Sequence, residues 1–454
     1  MKIVVFGLGR IYQKYKDVLK GNQVVGYIDN NRELWGKEID GIKVYRPDEI
    51  NLLSYDLICI MSKYTEEMKE QLIKLGVGGQ VIAGYEDILG RNLIFYNKLN
   101  DFLDSKKRVL FFSHDMSVSG APIVLYYFAC IMKKYGFSPV IISRKEGPLQ
   151  QDFLLEDIPV IINRNLTRSN FFLWKIIEGF DYYILNTIIF ADLIDIIGEI
   201  GKKTVWWLHD SEMHYENRDA SFFPKRIPEN VSVYAVGERA KKTFQKYVDC
   251  SEVKNLFYGI PDKGVSKKKG KEKLVFAIIG SICHRKAQDI FIRAIERLNK
   301  AERCKAEFWI IGTVGGKEYY DCLKEQIDNI EEIKYLGNLT REEMLNYYQE
   351  IDVVCCPSRD DPMPVVMAET FMNGKVAIVS EDTGIAPLIK NEEDGFVVQT
   401  ENIEQLADLM GNILDGKFDI ERIGKKSRQI YDKNFSLDVF EGKIIQIIEY
   451  LEET

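Results

Sequence analysis

Two carboxylates, one lysine and one histidine carry the chemistry that this sequence offers. Asp361 and Glu369 stand eight residues apart in the stretch DVVCCPSRDDPMPVVMAETFMNGKVAIVSEDTG, residues 352–384. Val353–Cys356 is a short apolar run suited to a strand buried on both faces. Pro364 suits the first turn of a helix, because the N–H it lacks would be unbonded there anyway. That helix is expected to end near Asn373 and Gly374, and a further strand is expected over 376–379. The N–H groups of Met363, Val365 and Val366 then stand at a helix start, where unpaired N–H groups and the dipole favour an anion. Pro364 itself gives up one donor. The unit is strand, acidic turn, helix, strand, and such turns gather at the carboxyl ends of parallel sheets, where open α/β folds bind ligands.

Two other glycine turns repeat this arrangement. The strand expected over 108–112 is followed by Ser119-Gly120-Ala121-Pro122 and a helix over 123–134. The strand over 274–279 is followed by Gly280-Ser281 and then His284-Arg285-Lys286-Ala287 before another helix. A lysine ahead of a helix N-terminus opposes the dipole, which argues for an anion beside it. His209 closes the run KTVWWLHD, at the end of a strand over 203–208.

These segments resemble the retaining glycosyltransferases of the GT-B group, family four. The resemblance rests on Pro357-Ser358 followed by Asp361 to Glu369, on S-G-A-P at 119–122, on W-W-L-H-D at 206–210, on Lys286, and on Leu336-Gly337-Asn338-Leu339. It covers about residues 107–454. The sequence departs from the family at Asp361, where the family has Glu, and at two glycines flanking the motif, which are proline here. It departs again at Ser281, where the family has arginine, and at Ala287 and Ser119, where it has glycine.

The resemblance implies a GT-B fold of two facing Rossmann-like domains, 107–262 on the acceptor side and 263–434 for the nucleotide sugar, with 435–454 packing back on the first. It implies that Lys286 neutralises a donor diphosphate and that Glu369 bonds the ribose hydroxyls. Asp361 would touch the sugar hydroxyls, and His209 would face the donor sugar. Gly120, Ala121, Gly280, Ser281, Leu339, Met363, Pro364 and Val365 would line the donor. The implied reaction is retaining sugar transfer from a nucleotide sugar, with UDP favoured over GDP, to a glycan or lipid-linked acceptor of a surface polymer. No cofactor and no metal ion are expected, since a lysine and helix N-termini can do the work of a divalent cation. His114 is a weaker acceptor-side candidate, and His214 is read as surface. Two other readings stay open: a non-catalytic scaffold or regulator of glycan assembly, and a sugar-nucleotide epimerase on the same fold.

The elements around these residues alternate strand and helix throughout. A chain of 454 residues is too long for one core, and two or three α/β domains are expected. Residues 1–104 read as a small Rossmann-like domain: a strand over 3–6, the turn Gly7-Leu8-Gly9, a helix over 11–19 and a second strand ending in Asp29. Tyr12 replaces the third glycine of the dinucleotide fingerprint, so a structural or docking role is preferred over nucleotide or sugar-nucleotide binding, and an NAD-linked activity is disfavoured. Polar linkers are expected at 100–107 and 262–273. Composition is that of a soluble globular protein, 46% hydrophobic and 29% charged with a net charge of −8, which disfavours nucleic acid as a partner. The eight cysteines show no metal-ligand spacing. No signal peptide or membrane span is read, and a cytoplasmic location is expected. Arg144, Lys145, Arg164 and Arg168 flank an apolar stretch at 171–177. It reads either as a peripheral contact with the membrane surface or, preferably, as an ordinary amphipathic helix.

Overall fold

A computed structural model describes residues 2–19, 22–85, 93–96, 107–164, 166, 177–216, 218–264 and 272–453. Three largely parallel sheets account for the strands named below. The first has six strands, in the order Glu38–Ile39, Ile42–Tyr45, Gln23–Ile28, Lys2–Phe6, Leu57–Ile60 and Ile82–Gly84. Residues 3–6 and 57–60 of its central strands are buried because helices cover both faces, so they read as continuous apolar runs. The helix expected over 11–19 is an α-helical turn, Arg10–Tyr15, continued as a 3-10 segment, Lys16–Leu19. Tyr12 faces the sheet from this helix. It lies buried, its hydroxyl 2.8 Å from that of Tyr27. Asp29, the acid at the strand end, accepts the N–H of Leu8 and that of Asn31, both at 2.7 Å. The carboxylate that would meet a ribose thus caps the glycine turn instead.

The second sheet has eight strands. In order they are Val253–Asn255, Val231–Ala235, Thr204–Leu208, Tyr182–Asn186, Arg108–Ser113, Ser138–Ser143, Val160–Asn163 and Leu93–Tyr96. The last of these pairs antiparallel with Val160–Asn163. Residues 93–96, within the span read as the N-terminal domain, therefore form an edge of the second sheet. The third sheet runs Ile333–Gly337, Ala306–Ile311, Leu274–Ile279, Val353–Cys356, Val376–Ser380, Phe396–Val398. In each of these two sheets the order reverses beside the first strand, at Arg108–Ser113 against Tyr182–Asn186 and at Leu274–Ile279 against Val353–Cys356. Such switch points open a crevice at the carboxyl ends of the strands.

Helix Leu437–Glu452 packs on the second sheet's side of the molecule. Phe440 stacks on Trp207 with ring centroids 5.7 Å apart and meets Phe128 of helix Gly120–Lys134 edge-on. Burying a side chain of this size contributes about 2–3 kcal/mol. Several helices have no counterpart in the sequence reading, the longest of them Lys317–Asn329 and Ile420–Asn434. Most of the linkers read at 100–107 and 262–273 lies outside the described residues, as do Arg168 and most of the apolar stretch at 171–177. Arg144 is not a free surface cation: its guanidinium bonds the carbonyl of Leu166 at 2.8 Å and lies over the ring of Phe190.

The turn bearing Asp361 leaves no room for a side chain on its neighbour. A Cβ built on Gly384 would sit 1.6 Å from the carbonyl oxygen of Pro362. Gly384→Ala is therefore expected to destabilise the fold by about 2–3 kcal/mol, measured by urea unfolding, because backbone and not a flexible side chain must give way.

Candidate functional site

A cavity of about 800 Å³ lies between the second and third sheets. All twelve residues singled out from the sequence line it: His209, Lys286, Asp361, Glu369, Gly120, Ala121, Gly280, Ser281, Leu339, Met363, Pro364 and Val365. Two helix N-termini open on it. Helix Gly120–Lys134 begins three residues earlier than expected, so the N–H groups of Gly120 and Ala121 belong to its first turn. Helix Val365–Met372 begins with Pro364 as its N-cap. Neither has an acidic residue in its first turn, which leaves both positive ends uncompensated.

Lys286 and Asp361 meet directly, Nζ to Oδ2 at 2.5 Å, with Arg285 Nη1 3.4 Å from the same oxygen. Burial alone would raise the Asp361 carboxyl. Lys286 first and Arg285 second overcome it and hold the carboxyl below its ordinary value. The loop carrying the cations and the turn carrying the acid are tied together. Arg359 donates its N–H to the carbonyl of Arg285 at 2.9 Å, and its guanidinium forks onto Asp289 at 2.9 and 2.7 Å. Arg285 in return bonds the carbonyl of Asp360 at 2.9 Å. A bidentate arginine of this kind fixes orientation as well as distance.

Glu369 is half-buried in the same wall. Burial raises its pKa, opposed by a hydrogen bond from the hydroxyl of Tyr348 at 3.3 Å and by the charge of Arg341. Tyr348 and Arg341 belong to helix Arg341–Glu350, which opens with a capping box between Thr340 and Glu343. That box fixes the turn holding Asn338 and Leu339 at the cavity wall.

On the opposite wall the His209 ring packs edge-on against Trp207, 4.2 Å between centroids. Although the residue keeps some exposed surface, its Nε2 is shut off from solvent and has no hydrogen-bond partner among the described residues. Burial pulls the imidazole down to about 3, with His114 adding to the effect. Asp210 accepts the N–H of Ile188 at 2.7 Å and that of His209 at 3.3 Å, and burial raises its carboxyl. His214, read from sequence as a surface residue, is half-buried and lines the cavity with His114. The short helix Met213–Glu216 turns it inward, and no periodicity announces so short an element. Among the described residues no group of three or more His, Cys, Asp or Glu could hold a metal ion. No helix among them is long and apolar enough to cross a membrane.

The buried neutral His209 has a thermodynamic signature. Unfolded, it takes up a proton near pH 6.5; folded, only near pH 3. Its contribution is complete above pH 6.5 and is lost as pH falls towards 3, since the unfolded state then binds more protons. Between pH 6.5 and 4.5 the wild type is expected to lose about 2 kcal/mol more unfolding free energy than His209→Gln. Denaturant titrations at the two pH values measure the difference.

Comparison with known proteins agrees with this architecture. Residues 261–430 match the family model for glycosyl transferases group 1 and residues 105–232 that for glycosyl-transferase family 4. Residues 1–83 match a separate model, C2185-like, N-terminal. The N,N'-diacetylbacillosaminyl-diphospho-undecaprenol alpha-1,3-N-acetylgalactosaminyltransferase of Campylobacter jejuni is 27% identical over 205 residues, 44% of this chain and 50% of that protein. The GDP-mannose-dependent monoacylated alpha-(1-6)-phosphatidylinositol monomannoside mannosyltransferase of Corynebacterium glutamicum is 23% identical over 218 residues, 46% of this chain and 56% of that protein. The chain thus spans about half the length of these curated relatives. Anabaena HepE in complex with UDP-glucose superposes with a TM-score of 0.65 over 76% of this chain and 100% of that one, at 16% identity. A likeness at that identity speaks for the GT-B fold alone.

Proposed function

We propose, for a chain whose two facing halves belong to the glycosyl-transferase family 4 and glycosyl transferases group 1 families, that it moves a sugar from a nucleotide-sugar donor to a glycan or lipid-linked acceptor with retention at the anomeric carbon. The observation that carries this reading is the convergence of Lys286, Asp361, Glu369 and His209, from three separate stretches of sequence, on one cavity between the halves.

Each group has a task that its surroundings suit. Lys286 and the N–H groups of helix Val365–Met372 meet the donor diphosphate, and Arg285 supplies the second positive charge that Ser281 cannot. These charges take up the negative charge that builds on the leaving phosphate, so catalysis needs no metal ion. Glu369 accepts hydrogen bonds from the ribose hydroxyls. Asp361, kept ionised by its two cations, accepts from the sugar. His209 faces the donor sugar from the opposite wall, its ring held against Trp207. In the transfer step the bond from the anomeric carbon to the phosphate oxygen breaks. The acceptor oxygen bonds to the same face of that carbon, and the acceptor's proton passes to the departing phosphate oxygen. UDP is the expected carrier, as in the complex of Anabaena HepE. The acceptor class follows the Campylobacter jejuni and Corynebacterium glutamicum proteins, whose names describe lipid-linked substrates.

A thermal-shift panel of UDP- and GDP-sugars tests the proposal. A true donor at 100 times its Kd stabilises the folded chain by about 2.7 kcal/mol through mass action. A flat response across the panel, with no transfer to isolated lipid-linked acceptors, would favour a scaffold and defeat the enzyme reading.

A further inference from the structure

We infer that Arg239 is a positioning residue, one that holds the turn carrying Asp361 in its donor-ready shape only while the two halves of the molecule are closed on each other. Arg239 belongs to helix Glu238–Tyr247 of the first half. It reaches across the cleft with both arms of its guanidinium. Nε donates to Asp360 Oδ1 at 2.7 Å, and Nη1 donates to Asp382 Oδ1 at 2.8 Å.

Both acceptors are neighbours of Asp361. Asp360 precedes it in the chain. Asp382 lies in the loop that braces it: the N–H of Asp361 donates to the Asp382 carbonyl at 3.3 Å, and the N–H of Gly384 donates to the Asp361 carbonyl at 2.8 Å. The second oxygen of Asp360 is also taken from across the cleft, by the N–H of Glu212 at 2.9 Å. Glu212 lies three residues beyond His209, and its carboxylate is tied to the helix of Arg239 through Lys246, at 2.7 Å. One guanidinium and one amide from the first half thus engage both oxygens of the Asp360 carboxylate and bind together the two loops that flank Asp361.

Opening the cleft breaks all three contacts at once. It leaves the Asp360 and Asp382 carboxylates, both within reach of one guanidinium when closed, to repel each other without their shared counter-charge. The turn then loses the restraint that aims Asp361. A bidentate arginine suits this role because a planar fork fixes direction, and lysine can grip only one partner firmly. Sugar chemistry at Asp361 would therefore proceed only in the closed molecule, with His209 on the facing wall.

The kinetic half of this inference rests on the transferase reading; the conformational half rests on geometry alone, and the experiment separates them. Wild type, Arg239→Ala and Arg239→Lys of the full chain are compared by small-angle scattering with and without UDP. Arg239→Ala should be more extended than the wild type in both conditions, with Arg239→Lys between them. Asp382→Ala, at the rim of the contact, removes one arm from the other side and should shift the same way if Arg239→Ala folds poorly. In transfer assays Arg239→Ala should lower kcat by at least about tenfold, as loss of orientation does. The KM for the donor and the melting temperature should stay near wild type, and Arg239→Lys should restore part of kcat. Superimposable scattering of wild type, Arg239→Ala and Asp382→Ala would overturn the latch whatever the activity. An unchanged kcat in a variant that does open would overturn the positioning role. If the wild type transfers no sugar, the transferase reading fails and scattering alone decides the latch.

Discussion

Lys286→Ala is expected to reduce kcat/KM for sugar transfer by about 10²–10³-fold, the usual loss when one fixed donor to a developing anion is removed from a water-poor site. The lysine side chain is only 16% exposed and its Nζ sits 2.5 Å from Asp361, so neither bulk water nor a mobile side chain can replace it. The same substitution strands a buried carboxylate. Of its two cations Asp361 would keep only Arg285, at 3.4 Å, and its carboxyl would rise as the larger of these influences vanishes. Breaking a buried pair from one side costs about 3–5 kcal/mol, so the melting temperature should fall as well. The double variant Lys286→Ala/Asp361→Ala separates the two effects. It should recover most of the stability and none of the activity. Steady-state kinetics at a temperature well below both transitions make the comparison, and a Lys286→Ala enzyme within threefold of wild type would remove the lysine from the mechanism.

Glu369→Gln should raise the KM for the nucleotide sugar by about 10²-fold while changing kcat and the acceptor KM little. A carboxylate that accepts two hydroxyl hydrogen bonds contributes roughly 1.5–3 kcal/mol per charged bond, and a neutral amide of the same shape loses a large part of that. The effect is to fall on binding because the ribose lies away from the reacting carbon and is held equally in ground and transition states. Glutamine keeps the side-chain volume beside Tyr348, so the fold should be unaffected. Isothermal titration with UDP gives the binding loss directly. A variant that binds UDP as tightly as wild type would sink the assigned role for Glu369.

Much of the fold was legible in local pattern. Runs such as Val353–Cys356, Thr204–Leu208 and Leu274–Ile279 are β-branched, aromatic or aliphatic, and they form buried central strands. Such a run cannot satisfy both of its apolar faces anywhere but between two layers of helix. The glycine turns that follow them end at the carboxyl edge of a sheet as a matter of connectivity, which is why all twelve residues chosen from motifs line one cavity. Helix Ile420–Asn434 escaped the reading because Gly424 interrupts it. That glycine answers to a tertiary demand: a Cβ there would lie 2.2 Å from the carbonyl oxygen of Gly374 on a neighbouring element. Strand Leu93–Tyr96 escaped because four residues carry too little pattern to say which sheet they join.

The sequence by itself determined the α/β alternation, the strand-end turns and the residue types that face an anion there, since each depends on neighbours within a few positions along the chain. Only the tertiary structure decided how the charges are shared. Lys286 is neutralised by Asp361, 75 residues away, and Arg239 grips Asp360 and Asp382 from the other half of the molecule, at separations of 121 and 143. Ion pairs of that kind are set by which strands and surfaces the fold brings side by side, and no spacing along the chain encodes the distance between them.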